Sequence, residues 1–157
     1  MNKKMFTIST AESCTGGRIA AAITARSGAS RYFQGSLVAY QDTLKEQMLG
    51  VSRNMIETHG VVSSQVAEQM VKGACRLFRS DYALASTGYA EAWEGHEVEI
   101  WIAWGSENDV HSLCLRHDSG RVANVEEATC RVLSEFDSYL RNLAEKPINN
   151  VSSELTL

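Results

Sequence analysis

Thr10-Ala11-Glu12-Ser13-Cys14-Thr15-Gly16-Gly17 is the stretch on which the reading of this chain turns. A short apolar-alternating run, Met5-Phe6-Thr7-Ile8-Ser9, leads into it, and a helical run, Ile19-Ala20-Ala21-Ala22-Ile23, leaves it. Strand, tight polar turn, small residues, helix: this order puts Ser13 at the mouth of a helix N-terminus. Unpaired backbone N–H groups point outward there, and the helix dipole favours negative charge. A hydroxyl held beside such donors can attack a carbonyl and have the resulting oxyanion stabilised. Taken by itself the stretch favours a plainer role, in which Ser13 and Thr15 only cap the helix, because Ser/Thr caps far outnumber nucleophiles.

Outward from this turn, the pattern predicts a strand over Met5–Ser9 and a helix from Thr15 to about Arg26, ended near Ser27-Gly28. A second strand follows from Tyr32 to Tyr40, with Gly35 a bulge or a close approach. Asp42 can cap a short helix carrying Leu44, Met48 and Leu49, closed by Gly50. Ser52 can cap another turn that ends at His59-Gly60. Ser63 or Ser64 starts an amphipathic helix with Val66, Met70, Val71, Ala74, Leu77 and Phe78 on one side. Tyr82–Ser86 reads as a buried strand, and Glu97–Trp104 as one with a half-covered face. Val110–Arg116 is its hairpin partner across Ser106–Asp109. A last helix spans about Val122–Leu143. Helices first alternate with strands, then a hairpin and a closing helix appear. The fold class is therefore α/β, a mostly parallel sheet with an antiparallel member and helices on its faces. Ligands bind such sheets at the carboxyl ends of strands, an edge that both Ser13 and Tyr40 reach.

With 157 residues, 44% hydrophobic and 22% charged, the chain reads as one domain able to bury a core. The domain covers residues 1–144, and 145–157, with the only proline, is expected to be a loose tail. A net charge of −4 with dispersed acids argues against a nucleic-acid surface. No apolar run approaches a membrane span, and the one after the basic Met1–Lys4 is too short for a signal-peptide core. A cytoplasmic protein is expected. Cys14, Cys75, Cys114 and Cys130 are scattered, without a C-x-x-C pair, and read as reduced thiols. His59, His96, His111 and His117 lack ligand spacing, so neither a metal nor another cofactor is expected.

Lys45 lies five residues beyond Tyr40, just inside the short helix. A partly desolvated amine there has a lowered pKa and can act as a base. Ser13, Tyr40 and Lys45 make a workable set: Ser attacks, Lys accepts the proton, Tyr relays or orients it. Each also has an ordinary reading, as a cap, a strand-end aromatic and a solvated lysine.

Thr10–Gly17 resembles the T-A-E-S-C-T-G-G signature of the CinA C-terminal domain family, which includes the PncC-type nicotinamide-mononucleotide deamidases. Further matches follow in order: Gly28-Ala29-Ser30, Tyr32-Phe33, Val38-Ala39-Tyr40 with Lys45, and Leu49-Gly50-Val51. His59-Gly60-Val61-Val62-Ser63 and Ala85-Ser86-Thr87-Gly88 complete the set. The resemblance covers about Thr7–Leu143. It implies a three-layer α/β/α sandwich and, in active members, metal-independent hydrolysis of the carboxamide of nicotinamide mononucleotide (NMN) to nicotinate mononucleotide and ammonia. Carried onto this chain, it implies Ser13 as nucleophile and Tyr40 and Lys45 as its activating partners. Backbone N–H groups near Thr15, Gly16 and Gly17 would serve as oxyanion donors or a phosphate cradle. Thr87 and Gly88 would line the substrate site. Arg121 takes the first arginine of the family's G-D-R-x-x-x-R pattern and could pair with a ligand phosphate or carboxyl.

The departures lie in one loop and one helix. Active members carry T-G-x-A-G-P-x-G-G and then K-P-V-G. Here the chain reads Thr87-Gly88-Tyr89-Ala90-Glu91-Ala92-Trp93-Glu94-Gly95-His96-Glu97-Val98. The proline, two glycines and the lysine are gone, and Glu91 and Glu94 would repel an anion. Val125 replaces the pattern's second arginine. The helix that normally precedes the first strand is missing, which leaves apolar surface for a partner subunit. Three functions follow: an amidohydrolase of the nicotinamide-nucleotide type, an inactive paralogue kept as a binding or interaction module, or an amidase of altered specificity. The expected partners are a small-molecule amide or nucleotide and a second copy in a homo-oligomer (a dimer). No nucleic acid and no membrane are expected.

Overall fold

The computed structural model describes residues 5–146. Five strands form one sheet in the order β2-β1-β3-β4-β5. They are β1 Ile8–Glu12, β2 Phe33–Val38, β3 Tyr82–Tyr89, β4 Glu99–Gly105 and β5 Val110–Leu115. β1 pairs parallel with β2 and β3, whereas β4 runs antiparallel to both β3 and β5. Four strands thus share one direction and β4 opposes them, the mostly parallel sheet with an antiparallel member that the sequence implied.

Alternation along the strands feeds two cores. Ile8, Leu84, Ile100, Ile102 and Trp104 face one side. There they meet Ile19 and Ile23 of α1 (Arg18–Thr24) and Val125, Val132 and Phe136 of α5 (Arg121–Glu145). Ala11, Ala83, Ala85 and Ala103 face the other side, against Val66, Met70 and Ala74 of α4 (Ser64–Phe78). Small residues on that face let α4 seat closely. α2 (Asp42–Leu49) packs on α4 at Gly73, where a Cβ would strike the Leu49 backbone. α3 (Arg53–His59) completes this layer. A groove of about 720 Å³ opens between α1 and α5 beside Met5 and Phe6.

The amphipathic helix is where its period put it, and the Ser63 hydroxyl caps it by accepting from Val66 N. Ser52 does the same for α3, through Met55 N. Gly35 meets both of its readings: the β1–β2 register shifts beside it, and a Cβ there would press on the Phe78 ring. Other boundaries moved. β1 lies at Ile8–Glu12 rather than Met5–Ser9, so the signature itself supplies strand. α1 starts at Arg18, not Thr15, because Gly16 and Gly17 hold φ of +57° and +96°. Asp42 is the first residue of α2 rather than its cap. Of the loose tail expected over 145–157, Glu145 instead ends α5, and 147–157 lie outside the described residues. Among the described residues no helix is long and apolar enough to cross a membrane.

Candidate active site

The turn after β1 is built by a residue that pattern reading passes over. Glu12 is fully buried. Its Oε1 accepts from Ile19 N at 2.9 Å and Thr15 Oγ1 at 2.7 Å, and its Oε2 from Ala20 N at 2.9 Å. A carboxylate from the preceding strand therefore takes the donors at the start of α1, where neither Ser13 nor Thr15 makes a cap. The hydroxyl of Thr15 also pairs with Ser86 Oγ at 2.7 Å, and Ser13 N donates to Ser86 O at 3.0 Å. These bonds fasten the turn to β3.

With the helix end occupied by Glu12, Ser13 and Cys14 turn toward a cavity of about 390 Å³ at the carboxyl ends of β1, β2 and β3. Tyr40, Asp42 and Lys45 form one wall, Val61 and Val62 a second, and Thr87 to Glu91 with Trp93 and Arg121 a third. The set inferred from sequence, Ser13, Tyr40 and Lys45, does line one cavity, with Thr87, Gly88 and Arg121. Thr15, Gly16 and Gly17 stand behind it and shape the turn. The Thr87 hydroxyl is committed to Val61 O at 3.0 Å and so holds a wall. Gly88 has no room for a Cβ, which would fall 2.5 Å from Glu99 O in the paired strand.

The Lys45 side chain is 2% exposed, and its Nζ lies 3.4 Å from both Tyr40 O and Asp42 Oδ1. Burial lowers this amine below its ordinary 10.5, and Asp42 partly offsets the shift. Burial also pushes the neighbouring Cys14 thiol up to about 11, which keeps it protonated and poorly nucleophilic. The Tyr40 phenol accepts from Arg121 Nη2 at 3.3 Å. Among the described residues, neither the Lys45 amine nor the Tyr40 phenol is hydrogen-bonded to the Ser13 hydroxyl.

The loop after β3 is ordered by a two-residue turn. Trp93 and His96 exchange backbone bonds of 3.0 and 2.8 Å around Glu94 and Gly95, whose φ values are +45° and +82°. His96 stacks on Tyr89 at 4.2 Å, and Trp93 stands 64% exposed at the cavity mouth. Glu91 reaches Arg121 Nη1 at 2.8 Å. Tyr40 and Glu91 together hold this guanidinium above its ordinary value. Val125 is buried in the same apolar core as Ala90 and Cys14. Asp42, Trp93 and Asn124 went unread in sequence as site residues. The spacing of Asp42 to Lys45 was a usable signal, whereas the other two depend on contacts across the fold.

Fold and site define a three-layer α/β/α domain with a Ser- and Lys-lined cavity at the carboxyl ends of its parallel strands. The chain belongs to the CinA C-terminal domain family, whose sequence profile matches residues 1–140. It is 49% identical over 150 residues to a CinA-like protein of Flavobacterium psychrophilum, covering 92% of this chain and 36% of that one. A CinA-like protein of Colwellia psychrerythraea is 35% identical over 89% of this chain and 33% of its own length. The chain thus spans about a third of these curated relatives. Among solved structures, the competence/damage inducible protein CihA of Agrobacterium tumefaciens superposes with a TM-score of 0.80 at 34% identity, over 85% of this chain and 84% of that one. A CinA superfamily protein of Klebsiella pneumoniae gives 0.82 at 28%, over 87% and 88%.

Proposed function

We propose that this domain is a metal-independent amidohydrolase acting on a carboxamide of the nicotinamide type, the nucleotide NMN being the form implied by the family resemblance. The observation that carries the reading is the buried, pKa-lowered amine of Lys45 on the same small cavity as Ser13. Ser13 Oγ attacks the carboxamide carbon while Lys45 accepts the hydroxyl proton. The tetrahedral intermediate collapses, the C–N bond breaks, and the same proton leaves on ammonia. Water then attacks the acyl-Ser13 ester, with Lys45 again as base, and releases the carboxylate. The Ser13–Lys45 hydrogen bond forms on ligand entry, as catalytic contacts commonly tighten only in the complex.

Ammonia release from NMN, nicotinamide riboside and nicotinamide tests this. Turnover of at least one, abolished in Ser13→Ala and in Lys45→Met, is expected. Silence on all three by folded protein refutes it and leaves the binding-module reading and an amidase of altered specificity. That second reading draws on one feature, the engagement of Tyr40 and Arg121 with each other rather than with Ser13.

A further inference from the structure

We propose that Glu91 is a specificity-determining residue, an internal anion that occupies Arg121 and turns the cavity away from ligands with a phosphate or carboxylate at that end. The inference rests on the amidohydrolase reading only for the identity of the amide. The substrate class becomes a planar aromatic carboxamide that is neutral or cationic and lacks an anionic group.

Charge at the cavity is matched pair by pair. Among its described lining residues the cations are Lys45 and Arg121 and the acids are Asp42 and Glu91. Lys45 faces Asp42 at 3.4 Å and Arg121 faces Glu91 at 2.8 Å. An incoming anion therefore meets a guanidinium already neutralised and a carboxylate beside it.

The pairing is set by the fold. Asn124 lies one turn along α5 from Arg121, is 2% exposed, and donates its amide to Ala90 O at 2.9 Å. It also donates to Asp118 Oδ1 and accepts from Ser119 N. This buried amide pins the residue before Glu91 to the helix that carries Arg121. The tight Glu94-Gly95 turn holds the far side of the same loop. Tyr40, Tyr89 and Trp93 line the cavity and give an aromatic or pyridinium ring flat partners. Both members of the Glu91–Arg121 pair are about half exposed, so its removal frees the arginine without emptying a core.

Calorimetric titration of NMN and nicotinamide riboside, which differ by the phosphate, tests the proposal in wild type, Glu91→Gln, Arg121→Gln and the double variant. Wild type is expected to bind the riboside at least as tightly as the nucleotide. Glu91→Gln is expected to tighten NMN by about fivefold, the factor an exposed ion pair carries, and to leave the riboside unmoved. The gain should vanish in the double variant. An unchanged NMN-to-riboside ratio in Glu91→Gln, or a wild type that prefers NMN, overturns the proposal. Inorganic phosphate is the probe free of the amide. If no nicotinamide compound binds any variant, but phosphate raises the melting temperature of Glu91→Gln and not of wild type, the amide assignment falls and the role of Glu91 stands. If phosphate also leaves Glu91→Gln unmoved, the role of Glu91 falls.

Discussion

Replacing Glu12 with glutamine keeps shape and volume and removes one acceptor. In wild type, two donors with no alternative geometry, Ile19 N and Ala20 N, each bond a different carboxylate oxygen at 2.9 Å. The hydroxyls of Thr10 and Ser36 also approach Oε2, at 3.2 and 3.3 Å, but a hydroxyl can rotate to accept instead. In Glu12→Gln the remaining oxygen keeps Ile19 N and the Thr15 hydroxyl, and the new NH₂ confronts Ala20 N–H, donor against donor. A stranded amide costs about 1–3 kcal/mol. Loss of the acceptor at a helix N-terminus adds up to about 1–2 kcal/mol in a buried setting. The expected total is about 3 kcal/mol, or a fall of about 6–12 °C in melting temperature for a domain of this size. Urea unfolding and differential scanning calorimetry at pH 7 read this directly. A loss below about 1 kcal/mol would show that α1 does not depend on a strand carboxylate, and would sink this account of the turn.

Lys45→Met should abolish ammonia release while raising stability by about 1 kcal/mol, because a buried amine is replaced by an apolar chain of similar length. The pH dependence has a defined sign. The folded pKa lies below the unfolded 10.5, so between the two the unfolded chain binds more protons, and the contribution of Lys45 to stability rises as pH climbs through the folded value. The slope belongs to the difference between wild type and Lys45→Met, in which the opposite contribution of the raised Cys14 and Cys75 thiols cancels. That difference levels off above 10.5, which urea midpoints of both proteins across pH 7–11 will show. Wild-type turnover should rise over the same folded pKa. Iodoacetamide at pH 7.5 should label the exposed Cys130 and spare Cys14, whose thiol is pushed up to about 11. Peptide mass spectrometry showing Cys14 labelled first in native protein would contradict its burial.

What the sequence made legible was whatever repeats with a structural period or sits at a cap. α4 shows this: its apolar side follows the helical period and Ser63 marks its start. The β4–β5 hairpin shows it too, with Ser106–Asp109 closed by Ser106 N on Asp109 O at 3.0 Å. β1 was misplaced for the opposite reason. Thr10 and Glu12 point into the molecule, yet they are polar, because they answer each other and the end of α1 rather than a greasy neighbour. Polar residues inside a strand look like a turn until their partners are known. The ordered motifs held part of the cavity's lining, Ser13, Tyr40, Lys45, Thr87, Gly88 and Arg121, but Thr15, Gly16 and Gly17 do not line it, and Asp42 and Trp93 do. Its pairings did not follow from the motifs, since Glu91 meets Arg121 across 30 residues and Tyr40 meets it across 81.

The signature also divides its labour differently from its first appearance. Of the eight residues, Glu12 and Thr15 are committed to holding α1 and β3 together, and Gly16 and Gly17 supply left-handed backbone that delays the helix. That delay matters to the chemistry. Had α1 begun at Thr15, its free N–H groups would have surrounded Ser13, as the cap reading requires. Beginning at Arg18, with Glu12 on its first donors, the helix end is already satisfied. Ser13 is left free of capping, buried, and on the same cavity as the amine-bearing wall of α2. A residue serving as the cap would have its hydroxyl committed. The carboxylate one position earlier, by taking the first donors of α1, is what makes the serine available.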